Sequence, residues 1–210
     1  MKKSIEEYVK TQYTMSYDCV VKGGKLIGDW QNVANHCFTQ AVAAEALADL
    51  LGLPGYLKTT LARVAACHDW AKRLEKRPHD FSYQERETAM VLFSGLNIDF
   101  GLMGALTPSF LPKVLQGKAT FLELIQFLLD DMTMGDKIVS LDERIDEVSS
   151  RNPNPEPKVQ EELGRPYWEV EREIGHEVEF MVYTILKARH VPYTNITQLI
   201  NDKLNERFPE

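Results

Sequence analysis

The fragment of this 210-residue chain with the most chemistry in it is Ala65-Ala66-Cys67-His68-Asp69-Trp70-Ala71-Lys72, a histidine followed directly by an aspartate inside a helical run. His68 continues the apolar face of Leu61 and Val64, so its imidazole is expected to point inward, and the adjacent carboxylate needs a partner if it too is buried. A metal ion satisfies both. Adjacent helical positions diverge by about 100°, yet a cation at the helix flank can take an imidazole nitrogen from one and a carboxylate oxygen from the other. The alternative is a buried histidine that is simply hydrogen-bonded to the neighbouring carboxylate.

Two more inward polar residues extend the set. His36 lies on a preceding helix, on a face with Ala43, Leu47 and Leu50, and two antiparallel helices with a short connection can bring His36 and His68 together. A fourth ligand is expected from the pair Asp130-Asp131. Glu123, Gln126, Asp130 and Thr133 form one polar stripe at helical spacing, whereas Asp131 continues the apolar face of Leu124, Phe127 and Leu128. Helical phase therefore favours Asp131 as the inward ligand and leaves Asp130 to solvent.

His36, then His68-Asp69, then Asp131 resembles the H…HD…D pattern of the HD superfamily of metal-dependent phosphohydrolases. The surrounding text NHCFTQAVAAEALADLLGLP, ARVAACHDWAK and LLDDMTMGDKIVSLDERI is similar to that family's core in order and spacing, over about residues 30–148. The resemblance implies an all-α helical bundle in which His36, His68, Asp69 and Asp131 hold one divalent cation. Some two-metal members, including the diadenosine tetraphosphate hydrolases that ARVAACHDWAK resembles, carry two further histidines between the HD pair and the last aspartate. Here that interval holds only His79, which makes one metal the default. Mn, Fe, Co, Ni, Zn and Mg all suit such a donor set.

The implied activity is hydrolysis of a phosphate ester or anhydride of a small molecule, a nucleotide above all, by metal-activated water, with Asp69 and Lys72 as the catalytic residues. Two imidazoles and two carboxylates leave about two positions open on an octahedral ion, enough for a water and a phosphoryl oxygen. Lys72 lies one turn beyond Asp69 and opens the basic cluster Lys72, Arg73, Lys76 and Arg77, whose charge can clamp a phosphate or merely complement a helix C-terminus. Several branches of the family place a lysine three residues after the HD aspartate; others have a glutamate there, absent here. The competing reading is a catalytically weak, metal-containing ligand-binding or regulatory domain of the same type.

The elements expected to position these residues are helices. Val33–Leu51 contains no glycine or proline and ends at Gly52 and Pro54; a second helix is expected over 56–75, a third over 82–92, and short turns over 95–117. Helical signal returns over 120–134 and again after Gly135. The segment 149–166, with four prolines, reads as a loop or lid. Helices are expected over 167–189 and, with Asn195 as N-cap, over the last residues. A small hairpin around Gly23 and Gly24 is the one expected piece of β-structure. A single domain over 1–210 is expected, with core 30–148 and C-terminal helices over 167–210.

Composition narrows the partners. With 24 basic against 31 acidic side chains, the net charge of −7 disfavours duplex nucleic acid. Three cysteines, Cys19, Cys37 and Cys67, are too few and odd in number for a disulfide framework. No stretch has the length of a membrane span, and MKKSIEEYVK lacks the apolar region of a signal peptide. The expected location is the cytoplasm, and the expected partner a small phosphorylated substrate. The oligomeric state is left open, a homodimer included.

Overall fold

The computed structural model describes residues 2–15, 31–71, 90–91, 93–192 and 195–209, and these are almost entirely helical. Their helices are α1 (Lys3–Tyr13), α2 (Gln31–Leu51), α3 (Gly55–Cys67), α4 (Phe100–Met103), α5 (Phe110–Leu115), α6 (Phe121–Asp130), α7 (Leu141–Arg151), α8 (Pro157–Leu163), α9 (Tyr167–Ala188) and α10 (Ile196–Arg207). A two-stranded antiparallel ribbon, β1 (Thr133–Met134) with β2 (Lys137–Ile138), turns at Gly135. The expected hairpin around Gly23 and Gly24 lies outside the described residues, as does nearly all of the helix expected over 82–92.

The centre is the antiparallel pair α2 and α3. Ala41, Ala44, Ala48, Ala62 and Ala65 are fully buried, and such small side chains let two backbones approach closely while Phe38, Leu47, Leu61 and Val64 fill the remaining space. Each fully buried Leu or Phe contributes roughly 1.5–3 kcal/mol. The turn between them uses Gly52 at φ +69°, and the Arg189 guanidinium lies where a Cβ on Gly52 would sit. Arg189 Nε also donates to the Leu50 carbonyl at 3.0 Å, so the end of α9 clamps the α2–α3 turn.

Helix α9 is held against α7 by another close approach. A Cβ on Gly175 would meet Leu141 Cδ2 at 2.6 Å, so glycine is what lets α9 lie flush on α7. One turn before Gly175, Glu171 is buried at this seam. The termini close the bundle on the far side: Arg207 of α10 pairs with the buried Glu45 of α2 and lies over the Tyr8 ring of α1. The Tyr8 hydroxyl donates to Glu45, and burial followed by the Glu45 charge pushes its pKa up to about 12.

Element boundaries depart from the expectation for local reasons; the helix expected directly after Gly135, for one, begins only at Leu141, because Lys137 and Ile138 form β2. The helix expected over 56–75 leaves α-geometry at Cys67 and tightens into a 3-10 turn, His68–Ala71, with Asp69 at φ −87°, ψ 16°. The helix expected over 120–134 stops at Asp130, because Thr133 and Met134 pair with Lys137 and Ile138 across the Gly135 turn, at φ +61°. The segment 149–166 is not all loop: α8 begins at Pro157, where a missing N–H costs nothing, and ends at Gly164 in the left-handed conformation.

The start of α6 is fixed by a reciprocal cap. Thr120 Oγ1 accepts from the Glu123 amide while Glu123 returns a bond to the Thr120 amide, and Lys113 pairs with the same buried carboxylate. Burial alone would raise the Glu123 pKa, but the Lys113 and Thr120 bonds outweigh it and hold it below the usual carboxylate value. A depressed folded-state pKa stabilises the protein above the unfolded-state pKa, and that contribution is lost as pH falls through the folded value. Glu123→Gln is therefore expected to cost about 1 kcal/mol at neutral pH. In urea titrations the gap from the parent should close below the folded pKa; a gap that persists in acid would assign the cost to packing.

Candidate metal centre

Three ligand atoms from three different helical segments meet at one point. His36 Nε2 of α2 lies 3.2 Å from His68 Nε2 and 2.9 Å from Asp130 Oδ1 at the end of α6, and His68 Nε2 lies 3.3 Å from the same oxygen. His36 is 8% exposed, and the His68 side chain 2%. A second group, Cys37, His68 and Asp69, also has its ligand atoms within 4.8 Å of one another, and shares His68 with the first. These two clusters in an all-helical fold resemble an HD-like motif.

The tautomer of His68 is set by the backbone. Its Nδ1 lies 2.8 Å from the Ala65 carbonyl oxygen, which only accepts, so Nδ1 carries a proton and Nε2 is the nitrogen turned to the cluster. That is the arrangement by which a ligating histidine is oriented from behind. Burial works against a charged imidazole here, but the Cys37, Asp69 and Asp130 groups overcome it and hold the His68 pKa well above its usual value. Burial likewise works against charge on Asp130, and His68 and His36 overcome it, holding the carboxyl well below its usual range. Two imidazole nitrogens and a carboxylate converging in a small, mostly buried volume must share protons or a cation, and the N, N, O donor set fits a first-row divalent metal.

The departure from helical geometry at Asp69 explains how consecutive residues serve one site. Successive side chains diverge in an α-helix and still more in a regular 3-10 helix; here Asp69 leaves helical dihedrals, at φ −87° and ψ 16°, and its Oδ1 lies 3.8 Å from His68 Nε2. Asp69 belongs to the cluster with Cys37, and together with Asp130 it lines a cavity of about 380 Å³.

Asp131, expected as the fourth ligand, is not at this convergence; Asp130 is. The phase was read on the premise that polar residues mark the solvent side, yet Glu123 is 6% exposed and Gln126 fully buried. Both faces of the helix are in fact buried; Glu123 is satisfied by the cap and Lys113, Gln126 has no hydrogen-bond partner among the described residues, and the same stripe carries Asp130 to the histidines. Asp131 follows the last helical residue and is buried at 9% exposure on another side, against Glu171. Burial, then the Glu171 charge, pushes its pKa well above the usual carboxylate value. Burial also pushes Glu171 up to about 7.

Sequence reasoning missed Glu171. As one of four glutamates in YWEVEREIGHEV it looks like another surface acid, and its period with Tyr167, Ile174 and Val178 is the signal that was available, since all four of these residues are buried. Cys37 and Cys67 are both fully buried free thiols, and Cys37 also faces His68 and Asp69. Lys72 and the rest of its basic cluster, as well as His79, lie outside the described residues. His176 is exposed and paired with Asp142 and Glu179, away from the site.

No protein-family model matches this chain, and neither a curated protein nor a solved structure does. The site stands on its own geometry. Among the described residues, no helix is long and apolar enough to cross a membrane.

Proposed function

We propose that this protein is a metal-dependent phosphohydrolase of the HD type, acting on a phosphate ester or anhydride of a small molecule such as a nucleotide. The observation that carries this reading is the meeting of His36 Nε2, His68 Nε2 and Asp130 Oδ1 beside a cavity that Asp69 and Asp130 line. His36, His68 and Asp130 would hold one divalent cation, with Asp69 completing the set. Such an ion lowers the pKa of a water and neutralises phosphoryl charge.

The chain's own groups have separable roles around it. The Ala65 carbonyl keeps His68 Nε2 available by holding the proton on Nδ1. Asp69, bound by the same turn that carries His68, accepts a proton from the attacking water. Arg144, whose Nη1 pairs with Glu147 at 2.8 Å, lines the cavity and would offer the rest of its guanidinium to a phosphate oxygen. Lys72, three residues after Asp69, supplies a second.

A panel of mono-, di- and polyphosphate nucleotides, assayed with Mn²⁺, Co²⁺ or Ni²⁺, tests the activity. Metal-dependent phosphate release is the expected result; metal binding with no turnover on any member would favour the regulatory reading. For Lys72→Met, turnover is expected to fall by roughly one to three orders of magnitude with metal content unchanged. An unaltered rate would make the basic segment a solvated helix end.

A further inference from the structure

The same cavity holds a second polar feature that metal binding does not use. Asp131 and Glu171 are 9% and 6% exposed, lie against each other, and both line the cavity with Asp69, Asp130, Arg144 and Trp168. Asp131 Oδ2 and Glu171 Oε2 are buried with no hydrogen-bond partner among the described residues. The Tyr167 hydroxyl lies against Glu171.

Unmatched buried acceptors are expensive, at about 1–3 kcal/mol each, and the cost is recovered when a ligand brings donors. A site built this way rejects a ligand that lacks them. The lining also suits an organic group: Trp168, whose indole N–H donates to the Asn152 carbonyl at 2.8 Å and whose ring packs edge-on against Tyr167, offers apolar aromatic surface to the cavity. A cavity of about 380 Å³ exceeds the needs of inorganic phosphate.

We infer that Asp131 and Glu171 form the specificity end of the cavity, binding the hydrogen-bond-donor end, hydroxyl or ammonium, of a phosphorylated substrate whose phosphate lies at the His36–His68–Asp130 cluster. The inference rests on the proposed phosphohydrolase reading, which it extends from the phosphate to the rest of the substrate. Glu171 touches substrate and not the metal cluster, so its replacement changes discrimination between ligands rather than metal loading.

Calorimetric titration of the Mn²⁺-loaded protein with propyl phosphate, ribose 5-phosphate and phosphoethanolamine tests it. At least one donor-bearing ester is expected to bind about tenfold or more tightly than propyl phosphate. Glu171→Gln should erase most of that margin while leaving propyl phosphate and manganese binding unchanged. Preference for ribose 5-phosphate identifies the donors as hydroxyls, and preference for phosphoethanolamine identifies an ammonium. Glu171→Asp, which keeps the charge and withdraws it by one methylene, should also reduce the margin and serves if the glutamine variant does not fold. Equal binding of all three esters, or an undiminished margin in the variants, overturns the inference. If no ester binds, the phosphohydrolase reading fails by itself; ribose and ethanolamine without phosphate then test the donor end, and their failure to bind sinks it too.

Discussion

Replacing His68 by alanine is expected to leave a folded protein that no longer takes up a divalent cation. His68 is the one residue common to both candidate clusters, its Nε2 facing His36, Asp130 and Asp69 while Nδ1 is pinned to the Ala65 carbonyl. Removing a group that merely orients a ligand already costs about 10–100-fold in metal affinity, and removing a ligand itself should cost more. The parent should show a metal-dependent rise in melting temperature, since a cation at 100 times its Kd stabilises by about 2.7 kcal/mol. In His68→Ala that rise should vanish. Elemental analysis of protein purified without chelator provides an independent readout: about one ion per chain in the parent and none in the variant. If neither form binds metal, the cluster is a proton-sharing polar core and the proposed chemistry falls with it.

The two neighbouring aspartates should separate cleanly. Asp130→Asn replaces the carboxylate oxygen that both histidines face, at 2.9 and 3.3 Å, and is expected to weaken metal binding by at least the same 10–100-fold. Asp131→Asn should leave metal affinity nearly unchanged, because its carboxyl is turned to Glu171. Replacing one of two crowded, buried carboxyls with an amide relieves their repulsion and supplies a donor for Glu171, so the variant should be at least as stable as the parent. Parallel melts with and without Mn²⁺ read both effects. Loss of binding confined to Asp131→Asn would reverse the assignment of the two residues.

Asp130 and Asp131 also show where reading a sequence reaches its limit. One residue along a helix is a rotation of about 100°, and Asp131 is the more buried of the two as the phase implied, yet it is Asp130 that the rotation turns to the histidines. This face of α6 carries Glu123, whose polarity the capping box and Lys113 absorb, and Asp130, which meets the histidines of the candidate cluster. Neither Lys113 nor the cluster is local to the stripe, and period alone therefore assigned the face to solvent.

The sequence by itself determined the helical character of the chain, the ends of α2 and of α9, the cap at Asn195 and the pairing of His36 with His68. These follow from local chemistry: unbroken apolar periods, Gly52 with its positive φ, side-chain caps, and a short connection that obliges two helices to pack side by side. Only the tertiary structure decided which aspartate joins the histidines, how His68 and Asp69 serve one site, and that Glu171 enters it. The ribbon that stops α6 at Asp130 and the turn after α3 are local, but the meeting of Asp130 with His36 and the glycine at 175 that lets α9 settle against α7 are contacts between distant segments. Local sequence sets which backbone conformations are cheap; where a buried carboxylate ends up is set by the partners that packing brings to it.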